Sequence, residues 1–132
     1  MVRFCSMDEI TEYHRLYSSA QAKLMGKLRE ELDKFLGKEN SRLWHGAPVW
    51  FVGENPVAGY SVNNRGVCLL FWNGKKFKDD SLHPVGKFFA AELRYADIDE
   101  IEFTKLRALL KESKTQVWDS VGHMRKARTG TK

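Results

Sequence analysis

Between Trp44 and Gly74 the chain reads WHGAPVWFVGENPVAGYSVNNRGVCLLFWNG, a stretch that holds three of the four tryptophans and almost no charge. Runs of β-branched and aromatic residues, broken by short clusters of Gly, Asn and Pro, require a meander of strands there. Pro48 to Val52 and Val57 to Val62 are the first two runs, separated by Gly-Glu-Asn-Pro. Val67 to Trp72 follows after Asn63-Asn64-Arg65-Gly66, and both separators are hairpin-type connections. Asn73-Gly74 is the strongest tight-turn dipeptide in the chain, so the third strand is expected to fold back through Lys75 to Lys78. Val67, Leu69 and Phe71 fall on one face of that strand, and Cys68, Leu70 and Trp72 on the other. That pattern predicts a central strand covered on both sides.

A loop through Asp79-Asp80-Ser81-Leu82-His83-Pro84 to Gly86 leads to a fourth strand. There Phe89, Ala91, Leu93 and Tyr95 alternate with Ala90, Glu92 and Arg94, which predicts one wet face. Helices flank these strands. Leu24, Leu28, Leu32, Phe35 and Leu36 recur at spacings of three and four, the stripe of an amphipathic helix from Ser18 that Gly37 ends as a left-handed cap. Its solvated side is expected to carry Lys23, Lys27, Glu30, Glu31 and Lys34, with Lys27 to Glu31 and Glu30 to Lys34 as four-residue pairs. A shorter helix is predicted before it, from Met7 through Tyr17, with Ser6 as N-cap and Glu9 completing a capping box. Asp97 or Asp99 caps a later helix whose face is Ile98, Ile101, Leu106, Leu109 and Leu110, and a last amphipathic piece holds Val117, Trp118, Val121 and Met124. The expectation is a single α+β domain over residues 1–132 with its core at about 18–124, in two layers. A mainly antiparallel sheet of four to five strands is flanked by N- and C-terminal helices.

With 42% hydrophobic and 30% charged residues, the composition is that of a soluble globular chain rather than a disordered one. Nothing approaches a membrane-spanning run, and charge arrives too early for a secretory leader, so a cytoplasmic location and no membrane partner are expected. Cys5 and Cys68 alone make no disulfide framework. The net charge of +5 is misleading as a sign of nucleic acid, because four cations lie in the basic tail 125–132 and the rest of the chain is nearly neutral. A solvated tail or helix-terminal cations account for it, and no nucleic-acid partner is expected.

The runs HGAPVWF, NPVAGYS and LLFWNG, followed by an Asp-rich loop, Gly86-Lys87 and a helix beginning near Ile98, resemble the YdhG-like family of small bacterial domains of unknown function. The resemblance covers about Leu24 to Leu110. It implies a two-layer α+β fold with a mainly antiparallel sheet, and one family member has been proposed as a frataxin-like iron chaperone. This chain departs from the pattern at Asp80-Ser81, where many relatives carry Asp-Pro. No iron-binding residue of the family matches a position here, so the resemblance supplies no metal site and no cofactor.

The residues themselves offer three chemistries. Trp44, His45, Trp50, Tyr60 and Trp72 form the expected ligand-binding set: if helices cover one sheet face, Trp50, Tyr60 and Trp72 share the other as a contact for a small molecule or protein partner. If the segment with Trp118 lies over that face, the same rings are core. Metal handling would draw on Asp79, Asp80 and His83 in one loop, though His14, His45, His83 and His123 are scattered and neither cysteine joins them. Catalysis comes third, with His45 as a general base helped by Asp80 or Lys87. No phosphate loop, nucleophile elbow or zinc-protease string supports it. The leading expectation is therefore non-catalytic binding.

Overall fold

The computed structural model describes residues 8–79 and 81–123. Ser6, Cys5, Asp80, Met124 and the basic tail fall outside them, as do the expectations placed there. Helix α1 spans Glu9–Arg15 and starts at Asp8, whose carboxylate accepts from the Thr11 backbone N–H at 2.8 Å. The N-cap of α1 is thus Asp8, an acid well placed at the positive helix end. Helix α2 spans Ser19–Leu36 behind Ser18, which makes a capping box with Gln21. Gly37 ends α2 with φ 96 and ψ 126, positive in φ but extended in ψ rather than left-handed helical. The stripe of α2 buries Leu24, Met25, Leu28, Leu32 and Leu36, each contributing about 1.5–3 kcal/mol by leaving water.

Six strands follow: β1 (Ser41–Trp44), β2 (Ala47–Val52), β3 (Asn55–Asn63), β4 (Gly66–Phe71), β5 (His83–Pro84) and β6 (Ala91–Tyr95). They form one sheet in the order β1-β2-β3-β4-β6-β5, antiparallel throughout. The fold class is α+β as expected, and the count exceeds the expected four to five because two short edge strands, β1 and β5, carry too few residues to show an alternation. After β6 come a 3₁₀ turn at Ile98–Glu100, helix α3 (Phe103–Thr115) and a helical segment over 120–123. Asp97 caps the 3₁₀ turn rather than α3, so Ile98 and Ile101 precede that helix while Leu106, Leu109 and Leu110 form its buried stripe.

The tight hairpin turn falls at a different dipeptide from the Asn73-Gly74 expected to make one. His45-Gly46 is the two-residue loop of the β1–β2 hairpin, with φ of 53 and 82, the positive pair that a type I′ hairpin needs. Asn73-Gly74 is not a hairpin. Asn73 has φ −115, and Gly74 opens a 3₁₀ turn pressed against β6, where a Cβ would lie 2.9 Å from the Ala91 Cβ. The Lys75 N–H bonds to the Phe89 carbonyl, so residues 75–78 run past β6 toward the sheet edge. The strand that pairs with β4 is β6, in register from Val67↔Tyr95 to Phe71↔Ala91. Phe77, the lone apolar residue of that stretch, packs at 5.4 Å on Phe71.

Helices α1, α2 and α3 all pack on one sheet face. That layer unites the helical stripes with Trp50, Ala58, Tyr60, Val67, Leu69, Phe71, Ala91 and Tyr95. Glu31 is a correction: it is 5% exposed and not on a solvated face. It accepts from Arg107 Nε at 2.9 Å and Nη2 at 3.2 Å, a fork that ties α2 to α3. Its neighbours Lys27 and Lys34 use the three-residue spacing, to Glu30 at 3.8 Å and to Glu31 at 3.9 Å.

Candidate functional site

Because antiparallel partners share a face, the register assigns the second face of the sheet. Arg42 opposite Val49, Trp44 opposite Ala47, Val49 opposite Gly59, Gly59 opposite Leu70, Ser61 opposite Cys68, Cys68 opposite Arg94 and Leu70 opposite Glu92 all point away from the helices. The expectation that β4 is covered on both sides holds only in part: helices cover Val67, Leu69 and Phe71, while on the other face Cys68 is buried but Leu70 and Trp72 are half-buried.

The five rings of the sequence-derived site divide between the two faces. Trp50 is 0% exposed in the helical layer, donates its indole N–H to Asp33 Oδ1 at 2.9 Å, and sits 5.7 Å from the Tyr60 ring. Tyr60 turns the same way, its hydroxyl 2.6 Å from His14 Nε2. Trp44, His45 and Trp72 remain on the open side: Trp44 lies 4.3 Å from His45, 5.6 Å from Phe51 and 6.1 Å from Trp72, centroid to centroid. Thus Trp50 and Tyr60 do not share a face with Trp72. The reason is parity, since Trp50 is an odd number of residues from Val49, while Trp72 is an even number from Leu70.

Around the open-face rings is a shallow depression of about 250 Å³, bordered by Trp44, His45, Val49, Gly59, Leu70 and Trp72. Gly59 and Ser61 make its floor low, for no large side chain rises there. Gly59 also has no room for one, because a Cβ would meet the Pro48 carbonyl oxygen at 2.6 Å. Phe51 is buried beneath Trp44 and the Arg42 guanidinium, whose carbon is 3.9 Å from the ring centroid. Neither the Trp44 nor the Trp72 indole N–H donates to a protein acceptor among the described residues.

The catalytic ingredients do not assemble. His45 is exposed, meets Trp44 edge to face and makes no hydrogen bond to a described residue. Lys87 belongs to a second aromatic group, over Phe88, with Trp118 and His123. Burial pushes the Cys68 thiol above its ordinary pKa, so it stays protonated and unreactive near neutrality. Among the described residues no three His, Cys, Asp or Glu groups converge to hold a metal. Asp79 instead accepts from the Ser81 N–H and hydroxyl at 2.8 and 2.6 Å and pairs with Lys105 at 3.7 Å, while His83 stands on β5 opposite Glu92.

Sequence reasoning missed the charged half of this face: Arg42, Arg65, Glu92 and Arg94. Glu92 was expected on a wet face, yet it is 4% exposed, enclosed by Arg65 and Arg94. A Glu–x–Arg spacing within a strand was the available signal, since it sets both groups on one side. The class these features define is a two-layer α+β protein whose antiparallel sheet has one face packed by helices and the other holding an open aromatic depression. Comparison with protein-family models, curated proteins and solved structures finds no match to this chain. No described helix is long and apolar enough to cross a membrane.

Proposed function

We propose that this chain is a non-catalytic binding domain, and that its site is the open-face depression formed by Trp44, His45 and Trp72 with Val49, Gly59 and Leu70. Trp50 and Tyr60 serve it from behind as core. One observation carries this: two half-buried indoles, in contact at 6.1 Å and with no N–H bond to an acceptor among the described residues, border a depression over which no described helix packs. Exposed aromatic surface next to convergent polar donors is the ordinary composition of a ligand site. A volume of about 250 Å³ suits one or two fused rings, or a single side chain of a protein partner. The small molecule is the favoured occupant, because the depression is short and walled by Trp44 and Trp72 rather than continued as a groove.

The YdhG-like resemblance and the iron-handling role it implies stand as proposals with less support, as the Asp79 carboxylate is already engaged by Ser81 and Lys105. A His45-based reaction lacks a partner group for the imidazole. The test is a titration with 1-naphthamide, a neutral two-ring probe, followed by the indole N–H signals in ¹⁵N-resolved spectra. The Trp44 and Trp72 signals should shift together and saturate while that of Trp50 stays in place. Unmoved Trp44 and Trp72 signals at millimolar probe would overturn the reading.

A further inference from the structure

On the binding reading above, the charged groups beside the depression decide what kind of ligand this face takes. Among the described residues Glu92 is the one acid on the open-face side of the strands, and its carboxylate is buried although no described helix packs over it. Both Arg65 and Arg94 reach the same oxygen, Oε2, through Nε, at 3.2 and 2.9 Å. A single guanidinium suffices to neutralise one buried carboxylate, so the second is surplus and the trio carries a net positive charge. Moreover, each arginine spends only its Nε on Glu92. The terminal amino groups of both make no hydrogen bond to a described carboxylate, and the side chains are 45% and 35% exposed. Glu92 therefore acts as a positioning residue that holds two guanidinium forks on the open face.

The register places this pair beside the aromatic depression. Glu92 is opposite Leu70 and Arg94 opposite Cys68, which in turn is opposite Ser61; Leu70 and Ser61 both border the depression. With neighbouring strands about 4.8 Å apart, Glu92 lies one strand spacing from Leu70 at the β4 side of the depression, with Trp72 two residues further along the chain and Trp44 beyond it on β1. No acidic side chain borders the depression. We propose that the open face binds a small planar ring compound bearing an oxyanion, with the ring at the Leu70 and Trp72 end of the depression and the carboxylate or phosphate on Arg65 and Arg94. Guanidinium forks fixed before binding suit either group bidentately.

The experiment compares 1-naphthamide with 1-naphthoate and 1-naphthyl phosphate at low ionic strength, in the full chain and in a variant carrying Arg65→Gln, Glu92→Gln and Arg94→Gln together. Changing all three avoids leaving Glu92 buried without a partner, and an unchanged circular-dichroism spectrum and melting curve establish that the variant folds. Should it not fold, the salt dependence of oxyanion binding to the unaltered chain replaces it. At least one oxyanion should bind about tenfold more tightly than the amide. That preference should vanish in the triple variant and weaken with salt, and the tighter of the two identifies carboxylate or phosphate as the natural group. Equal binding of all three probes, or a preference that survives in the variant or ignores salt, overturns the clamp while leaving the aromatic site intact. Failure of every probe to bind overturns both.

Discussion

The four tryptophans separate according to what their indole N–H meets. Trp50 donates to Asp33, which also lies 3.8 Å from Arg29, and Arg29 in turn reaches Asp8 at 2.8 Å and Thr11 at 3.0 Å. Removing that ring opens a cavity in the helical layer and takes from the half-buried Asp33 its indole donor. Trp50→Ala is expected to cost about 3–5 kcal/mol, whereas Trp44→Ala, on the open face, costs about half of that or less because much of its surface already meets water. Urea unfolding of both variants checks the asymmetry; equal losses would mean that the two rings are buried alike. At the same scale, His45 is the one described non-glycine residue with positive φ. That left-handed backbone, in which histidine is better tolerated than most side chains, belongs to the hairpin loop, and the ring lies edge-on to Trp44 at the mouth of the depression.

Among the elements, the close packing of strands and the freedom of helix surfaces give one substitution opposite signs. Gly59 on β3 has the Pro48 carbonyl oxygen and Val49 Cγ2 at 2.6 and 3.1 Å from where a Cβ would stand. Backbone cannot yield cheaply there, so Gly59→Ala should destabilise by about 1–3 kcal/mol and also raise the floor of the ligand depression. Gly26, inside α2, has nothing within 4 Å, and Gly26→Ala should stabilise by about 0.5–1 kcal/mol by restricting the unfolded chain and favouring helix. Thermal melts of the two single variants decide it, and a stabilising Gly59→Ala would refute the close approach. The helices and the hairpins β2–β3 and β3–β4 were readable from the sequence, because amphipathic period and Gly-containing loops are local properties. β1 was not, since His-Gly is an uncommon loop for a two-residue hairpin and four residues carry little periodicity. Asn73-Gly74 misled for the opposite reason: a favourable turn dipeptide was overridden by the contact of Gly74 with β6.

Over the whole molecule, the ionisable groups that join distant segments set how stability varies with pH. His14 is buried against Tyr60; burial, then the Arg29 charge, hold its pKa below the ordinary value, while Asp8 opposes the shift. The unfolded chain thus binds a proton more readily than the folded one. This contribution is complete above the unfolded pKa of about 6.5 and is lost as pH falls through the folded value. Glu31, held down first by its bond to Arg107, and Asp8, held down first by Arg29, follow the same sign at lower pH. Their share is present above the usual carboxylate range and disappears below it. The urea midpoint should therefore be level above about pH 7 and fall in two stages on acidification, with His14→Gln removing the upper stage. A midpoint constant from pH 7.5 to 5 in the unaltered chain would contradict this assignment.

What the sequence determined by itself is the α+β class, the helical stripes, the central strands and the concentration of aromatic side chains between Trp44 and Trp72. These follow from periodicity and turn chemistry, which act over a few residues. Only the tertiary structure decided that Trp50 and Tyr60 are core while Trp44, His45 and Trp72 face outward, and that Glu92 gathers Arg65 and Arg94 beside them. Face and partner depend on strand register and on which side the helices settle, and both are fixed by burial summed over the whole sheet rather than by any one segment.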